Sequence, residues 1–180
     1  MADQPITLVD PDPSWHEKFV AQQAALARLL RPWLAAPPEH IGSTAVPGLR
    51  AKPIVDILAQ VVSLADAQAA VPILEHTGWL FWPEDPNRHY RLWFLRPTPE
   101  TRSHHLYIMQ HGHQEPRNLL LFRDALRADP VLRQEYAALK QRLVERYHSD
   151  RDAYTDAKTD FVQTVLRAAG ADASSRRPLR

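Results

Sequence analysis

The sequence predicts an α+β fold: a mixed β-sheet flanked by helices, with a helical C-terminal third. Three observations predict it. Residues 53–62, 90–95 and 105–109 are β-branched or aromatic runs with strand composition. The last two are joined by a proline-rich hairpin connection, which mixes strand directions. After Gly112 the apolar spacing turns helical and stays so to the end.

Taken in order, residues 6–9 read as a short strand, stopped by Asp10-Pro11-Asp12-Pro13 because proline removes ladder donors. Ser14 and Glu17 have capping-box spacing, and Phe19, Ala24, Leu26, Leu29 and Leu30 supply the apolar stripe of a helix that ends near Pro32. Residues 40–43 read as the end of a short buried strand, 44–52 as a loop and 53–62 as the central strand. Ser63 and Asp66 open a helix over 64–77, which Pro72 kinks or splits and Gly78 closes. The C-terminal pattern gives helices over 118–127, 130–147 and 150–169, with Asp129 capping the second and Gly170 stopping the third.

With 180 residues, 44% apolar and 24% charged, and no repeat or linker, the chain is expected to form one domain over 1–170 with a disordered tail at 171–180. Its 22 basic and 21 acidic residues nearly cancel, so no broad field for nucleic acid is expected, and any phosphate must be met locally. The absence of cysteine removes disulfides and thiolate metal sites and leaves His, Asp and Glu as the strong ligands. No window nears the ~20 apolar residues of a membrane span, and the N-terminus has no leader pattern, so a cytoplasmic protein is expected. Only four basic residues, at 18, 52, 140 and 158, are lysine, which gives Lys52 weight beyond composition.

The segment from Glu39 to Leu58 carries the chemistry. Gly42 allows close backbone approach, and Ser43 and Thr44 offer hydroxyls and amides in a turn able to cradle phosphate. Alternation puts Val55, Ile57, Ala59 and Val61 on one strand face and Asp56 with Leu58 and Gln60 on the other. A carboxylate there needs a cation, or a basic partner such as Lys52 or Arg91. The same argument groups His105, Tyr107 and Met109 opposite Leu106 and Ile108; His105 is a candidate metal ligand or general base. Glu39 and His40 flank the turn as further candidate ligands, and Arg91 and Arg102 as candidate phosphate partners. His104, His111 and His113 have no zinc-site spacing. Arg123, Asp124, Lys140 and Lys158 either line the cleft or form ordinary helix-surface pairs.

Ile41-Gly42-Ser43-Thr44-Ala45-Val46-Pro47-Gly48-Leu49, with Asp56 beyond it, resembles the signature of the GrpB family. Further matches are Asp12-Pro13-Ser14-Trp15, the run from Arg102 to Leu106, Phe122-Arg123-Asp124, Tyr136 with Leu139 and Lys140, and Tyr154 with Lys158, so that the resemblance spans roughly residues 6–168. It implies a nucleotidyltransferase-like fold in which Gly42 and Ser43 hold a triphosphate, Asp56 binds Mg²⁺ or Mn²⁺ and a nucleoside monophosphate passes from an NTP to an acceptor. The second carboxylate of that superfamily's pattern falls on Leu58, and the family's second strand histidine on Tyr107. GrpB-like domains also occur fused to dephospho-CoA kinases, which adds coenzyme A precursors to the expected ligands. A non-catalytic nucleotide-binding module and a metal-dependent phosphohydrolase using His105 are the competing readings; oligomeric state is left open.

Overall fold

A computed structural model describes residues 5–171. The tail expected at 171–180 falls outside the described residues from position 172 onward. Strands β1 (Glu39–Ile41), β2 (Val55–Val61), β3 (Leu80–Phe81), β4 (Arg91–Arg96) and β5 (His104–Gln110) form one sheet in the order β1-β2-β5-β4-β3. Only the β2–β5 pair is parallel. Parallel neighbours require a long crossover, and here it carries α2 (Val71–Glu75), β3 and β4.

The alternation read from the sequence divides the core. Val55, Ile57, Ala59, Val61, Leu106 and Ile108 face one side, where α1 (Ser14–Leu29) covers them with Trp15, Phe19 and Leu26, and α2 with Leu74. Ile41, Leu58, Trp93, Leu95, Tyr107 and Met109 face the other, beneath Leu119 and Leu120 of α3 (Gln114–Ala128). Helices α4 (Pro130–Tyr147), α5 (Arg151–Asp156) and α6 (Thr159–Ala168) build out from this second side, with α3 contacting both α4 and α6. Leu126 and Tyr136 close a further apolar cluster over Val46 and Leu49.

Several elements depart from expectation for physical reasons. No strand forms at 6–9: Ile6 N–H donates to His148 O (2.7 Å), whereas Val9 exchanges two bonds with Ala51, so the segment bridges two places instead of pairing with one. Ser14 does not cap α1: Pro13 takes the cap position, and Ser14 is the first helical residue, donating its amide (2.8 Å) and its hydroxyl (2.7 Å) to the Asp12 carboxylate. Residues 64–77 split into a 3₁₀ turn, Asp66–Ala70, and the short α2, with Pro72 in its first turn where a missing amide costs nothing. The expected single helix at 150–169 breaks into α5 and α6 around Ala157 and Lys158, and the two-residue β3 had no sequence signal. Asp129 caps α4 as expected, accepting from the amides of Val131 and Leu132. No helix of the described residues is long and apolar enough to cross a membrane.

Candidate functional site

The site begins where β1 turns away from β2. Gly42 has φ 72°, and a Cβ built there would run into the Asp56 carboxylate, so glycine is required both for the backbone angle and for the close approach. Ser43–Ala45 then forms a 3₁₀ turn. Below it, His40 stacks on Phe19 (4.9 Å between centroids) and its Nε2 lies 3.0 Å from Thr44 Oγ1. Thr44 donates its own proton to Ile54 O (3.0 Å), which makes His40 Nε2 the donor in that pair. Burial holds the His40 imidazole down to about 4, so it stays neutral at neutral pH.

Asp56 on β2 and His105 on β5 are direct neighbours in the parallel register, and their side chains emerge on the same face. His105 Nδ1 lies 3.0 Å from Asp56 Oδ1 and 3.2 Å from the Tyr107 hydroxyl. A carboxylate only accepts, so the proton belongs on Nδ1 and Nε2 carries the lone pair. His105 Nε2 and Trp93 Nε1 have no protein partner. Burial, with the Asp56 charge second, raises the Tyr107 phenol well above its ordinary range and keeps it neutral.

Asp56, His105 and the Ser43 turn line a single cavity of about 400 Å³ between the sheet face and the C-terminal helices. Gly42, Ser43, Thr44, Lys52 and Arg102 line it too, as expected, and so do Lys140 and Lys158. Thr44 contributes backbone and methyl more than hydroxyl, since that group is engaged within the turn. Lys140 Nζ donates to Ser43 Oγ (3.2 Å) and to the Arg50 carbonyl, and sits 5.0 Å from the Tyr136 ring centroid. Lys52 and Lys158 lie 4.7 and 4.3 Å from the centroid of one ring, Tyr154. Burial first, then a neighbouring ammonium, pushes Lys140 and Lys158 down to about 7.

Two expected residues belong elsewhere. Arg91 is fully buried and bonds Asp85 through Nε (2.6 Å) and Nη2 (2.9 Å), so its guanidinium is used beneath the preceding turn and offers nothing to the cavity. Glu39 accepts from Arg123 Nη1 (2.7 Å), and Arg123 also donates to His40 O (3.0 Å); the pair ties α3 to β1 outside the cavity lining. Arg127 donates from Nε to Ala45 O (2.9 Å) and steadies the turn from behind. Sequence reasoning left Lys140 and Lys158 undecided, named Tyr136 and Tyr154 only as family matches, and passed over Trp93. The rarity of lysine was the available signal, since three of the chain's four lysines converge here.

Residues 5–168 match the family described as GrpB protein. The chain belongs to the GrpB family. A UPF0157 protein of Pseudomonas aeruginosa is 40% identical over 98% of this chain and 72% of its own length. The crystal structure of the conserved protein GrpB from Enterococcus faecalis superposes with a TM-score of 0.81 at 30% identity, covering 91% of this chain and 96% of that one. A dephospho-CoA kinase of Mycolicibacterium paratuberculosis is 32% identical over 94% of this chain but only 47% of its own length. A cytoplasmic RNA terminal U-transferase shares the fold alone, with a TM-score of 0.53 at 17% identity over 80% of this chain and 43% of that one. The GrpB fold is thus α+β and nucleotidyltransferase-like.

Proposed function

We propose that this GrpB protein binds a nucleoside triphosphate in the cavity and transfers its nucleoside monophosphate to an acceptor. The observation that carries the reading is the charge around the Ser43 turn: Lys52, Arg102, Lys140, Arg151 and Lys158 line the cavity against two carboxylates, Asp56 and Asp152. An excess of donors and positive charge converging on a Gly-Ser turn suits a phosphate chain.

In the proposed reaction the acceptor oxygen bonds to the α-phosphorus, the α–β anhydride bond breaks and pyrophosphate leaves. His105 holds the Asp56 carboxylate through Nδ1–H while its own Nε2 is buried, so Asp56, which lines the cavity, is the group placed to take the proton of an acceptor hydroxyl. Ser43 and the lysines hold the phosphates and offset the charge that develops on the leaving group.

The donor set suits one divalent ion carried in with the phosphates and does not suit a pair. Leu58, at the second acid position, is fully buried in apolar core, and the described residues contain no group of three or more His, Asp or Glu able to hold an ion. Mg²⁺ commonly takes one or two carboxylates plus substrate phosphates, which fits Asp56 as its protein ligand; bound so, it would polarise the phosphoryl oxygens. His105 is bonded to Asp56 through Nδ1 and has Nε2 buried, so it positions that carboxylate instead of ligating the ion.

The test is calorimetry with each of the four nucleoside triphosphates and Mg²⁺, followed by an assay of pyrophosphate release. Asp56→Asn should abolish release while leaving the fold intact; if no triphosphate binds and Asp56→Asn alters only stability, the transferase reading fails. The buried Leu58 and the relative named dephospho-CoA kinase favour one other reading, a nucleotide- or coenzyme A precursor-binding module. Tight binding without turnover would favour it.

A further inference from the structure

We infer that the paired rings of Trp82 and Trp93 seat the acceptor, and that this acceptor is an alcohol carrying a planar ring. The inference rests on the transferase reading and names the substrate class which that reading leaves open.

Sheet register sets three groups along one line. Leu80 pairs with Leu95 and Phe81 with Phe94, and Trp82 N–H donates to Trp93 O (2.9 Å), so Trp82 and Trp93 face each other across neighbouring strands. Phe81 and Phe94 point to the α1 side, and the two tryptophans to the cavity side, with ring centroids 6.0 Å apart. Both line the cavity. Trp93 pairs with Tyr107 on β5, and Tyr107 with Leu58 on β2, two residues past Asp56. The Ser43 turn leaves the sheet in the opposite direction, because Ile41 pairs with Asp56 in an antiparallel register and the chain runs on toward the start of β2. The turn therefore lies on one side of Asp56, both across the sheet and along the strand. Trp93 lies on the other side, two strands across and two residues along, roughly 12 Å between Cα atoms.

Phosphoryl transfer needs such a separation, since the attacking and leaving oxygens stand roughly in line on opposite sides of the phosphorus. With the triphosphate on the Ser43 turn and its α-phosphorus near Asp56, pyrophosphate departs toward the turn, and the acceptor enters from the tryptophan side. Its oxygen bonds to the α-phosphorus as the anhydride electron pair leaves with pyrophosphate, and its proton passes to the Asp56 carboxylate.

The two ends differ in chemistry as they do in position. Lys140 bonds Ser43, and Lys52 and Lys158 meet at Tyr154. At the other end Trp82, Trp93 and Leu119 present apolar surface, extended by Pro86 in the turn that Trp82 opens. Trp82 is half-buried and Pro86 exposed, so a ligand can reach them. The Arg102 guanidinium lies 5.8 Å from the centroid of the Trp93 ring, a planar group resting on that face. Such a wall favours the face of a flat ring over a compact polyol, whose hydroxyls would give up water against it.

The experiment is calorimetry of the full chain with adenosine, uridine and pyridoxine as ring-bearing alcohols and ribitol as the polyol, followed by pyrophosphate release from Mg²⁺ and a nucleoside triphosphate with each. At least one ring-bearing alcohol should bind and ribitol should not. Trp82→Leu should weaken that binding about tenfold, the loss of one stacking contact, while leaving triphosphate affinity and the unfolding temperature unchanged. Trp82→Phe should keep most of it. Ribitol binding as well as the ring alcohols, no ring alcohol binding, or full affinity in Trp82→Leu overturns the inference; if pyrophosphate is then still released, the transferase reading stands with an acceptor of another kind. Ring binding that depends on Trp82 but never promotes release upholds the seat and removes the transferase. The nucleosides against pyridoxine distinguish a nucleoside from another heterocyclic alcohol.

Discussion

Gly42 and Asp56 meet because one has no side chain and the other has a charged one. Replacing Gly42 with alanine puts a methyl group into the carboxylate at a backbone angle L-residues avoid, so Gly42→Ala should cost about 1–3 kcal/mol in urea denaturation and weaken nucleotide binding. Wild-type stability in that variant would mean that Asp56 moves aside freely. Lys140 and Lys158 make a second prediction, with its sign set by burial. Both are held near 7 in the fold and sit at about 10.4 when unfolded, so between these values the unfolded chain binds more protons and stability rises with pH. Above about 10 the buried Tyr136, raised to about 12, reverses the trend by resisting ionisation in the fold. Denaturation at pH 7 and at pH 9.5 should therefore show the greater stability at 9.5, and Lys140→Met should reduce the difference. Binding of a triphosphate at pH 8 should be coupled to proton uptake by Lys140 and Lys158, visible as a buffer-dependent calorimetric enthalpy.

Strands and helices here are joined by polar ties as well as apolar faces. The Arg91–Asp85 pair locks the start of β4 to the turn before it, with both groups buried. Removing one partner strands the other's charge, so Asp85→Ala should destabilise by about 3–5 kcal/mol in urea, although the cavity is untouched. Loss of less than about 1 kcal/mol would mean that water reaches the guanidinium. His40 ties β1 to Phe19 of α1, and His104 lies at the start of β5, 6.3 Å from Trp79; burial holds both down to about 4. The unfolded chain protonates them near 6.5, so stability should be present in full above that value and fall as pH drops from 6.5 toward 4. His40→Gln should shrink that fall when stability is compared at pH 7 and pH 5.

The cavity walls run from Leu8 to Leu166, so nearly the whole chain must fold before a ligand finds its seat. A triphosphate should accordingly raise the temperature of global unfolding, by an amount equivalent to about 2.7 kcal/mol at a hundredfold excess over Kd. A ligand that protects only the C-terminal helices in hydrogen exchange, leaving the sheet unchanged, would mean that the site is not shared between the two layers.

Local chemistry in the sequence determined four of the sheet's five strands, the face on which Asp56 and His105 emerge, the Gly42 turn and the Asp129 cap, because period-two alternation, glycine and capping act over a few residues. The GrpB motif lies within one such stretch. Which charges meet across the chain was decided only by tertiary structure. Arg91 and Arg102 read alike as candidate phosphate partners, yet Asp85 claims the first and the cavity the second. Lys52, Lys140 and Lys158 stand on three elements whose helical or loop settings each allow a solvated surface role. What brings them together is the packing of the C-terminal helices onto the open face of the sheet, an arrangement governed by long-range apolar burial that no local spacing encodes.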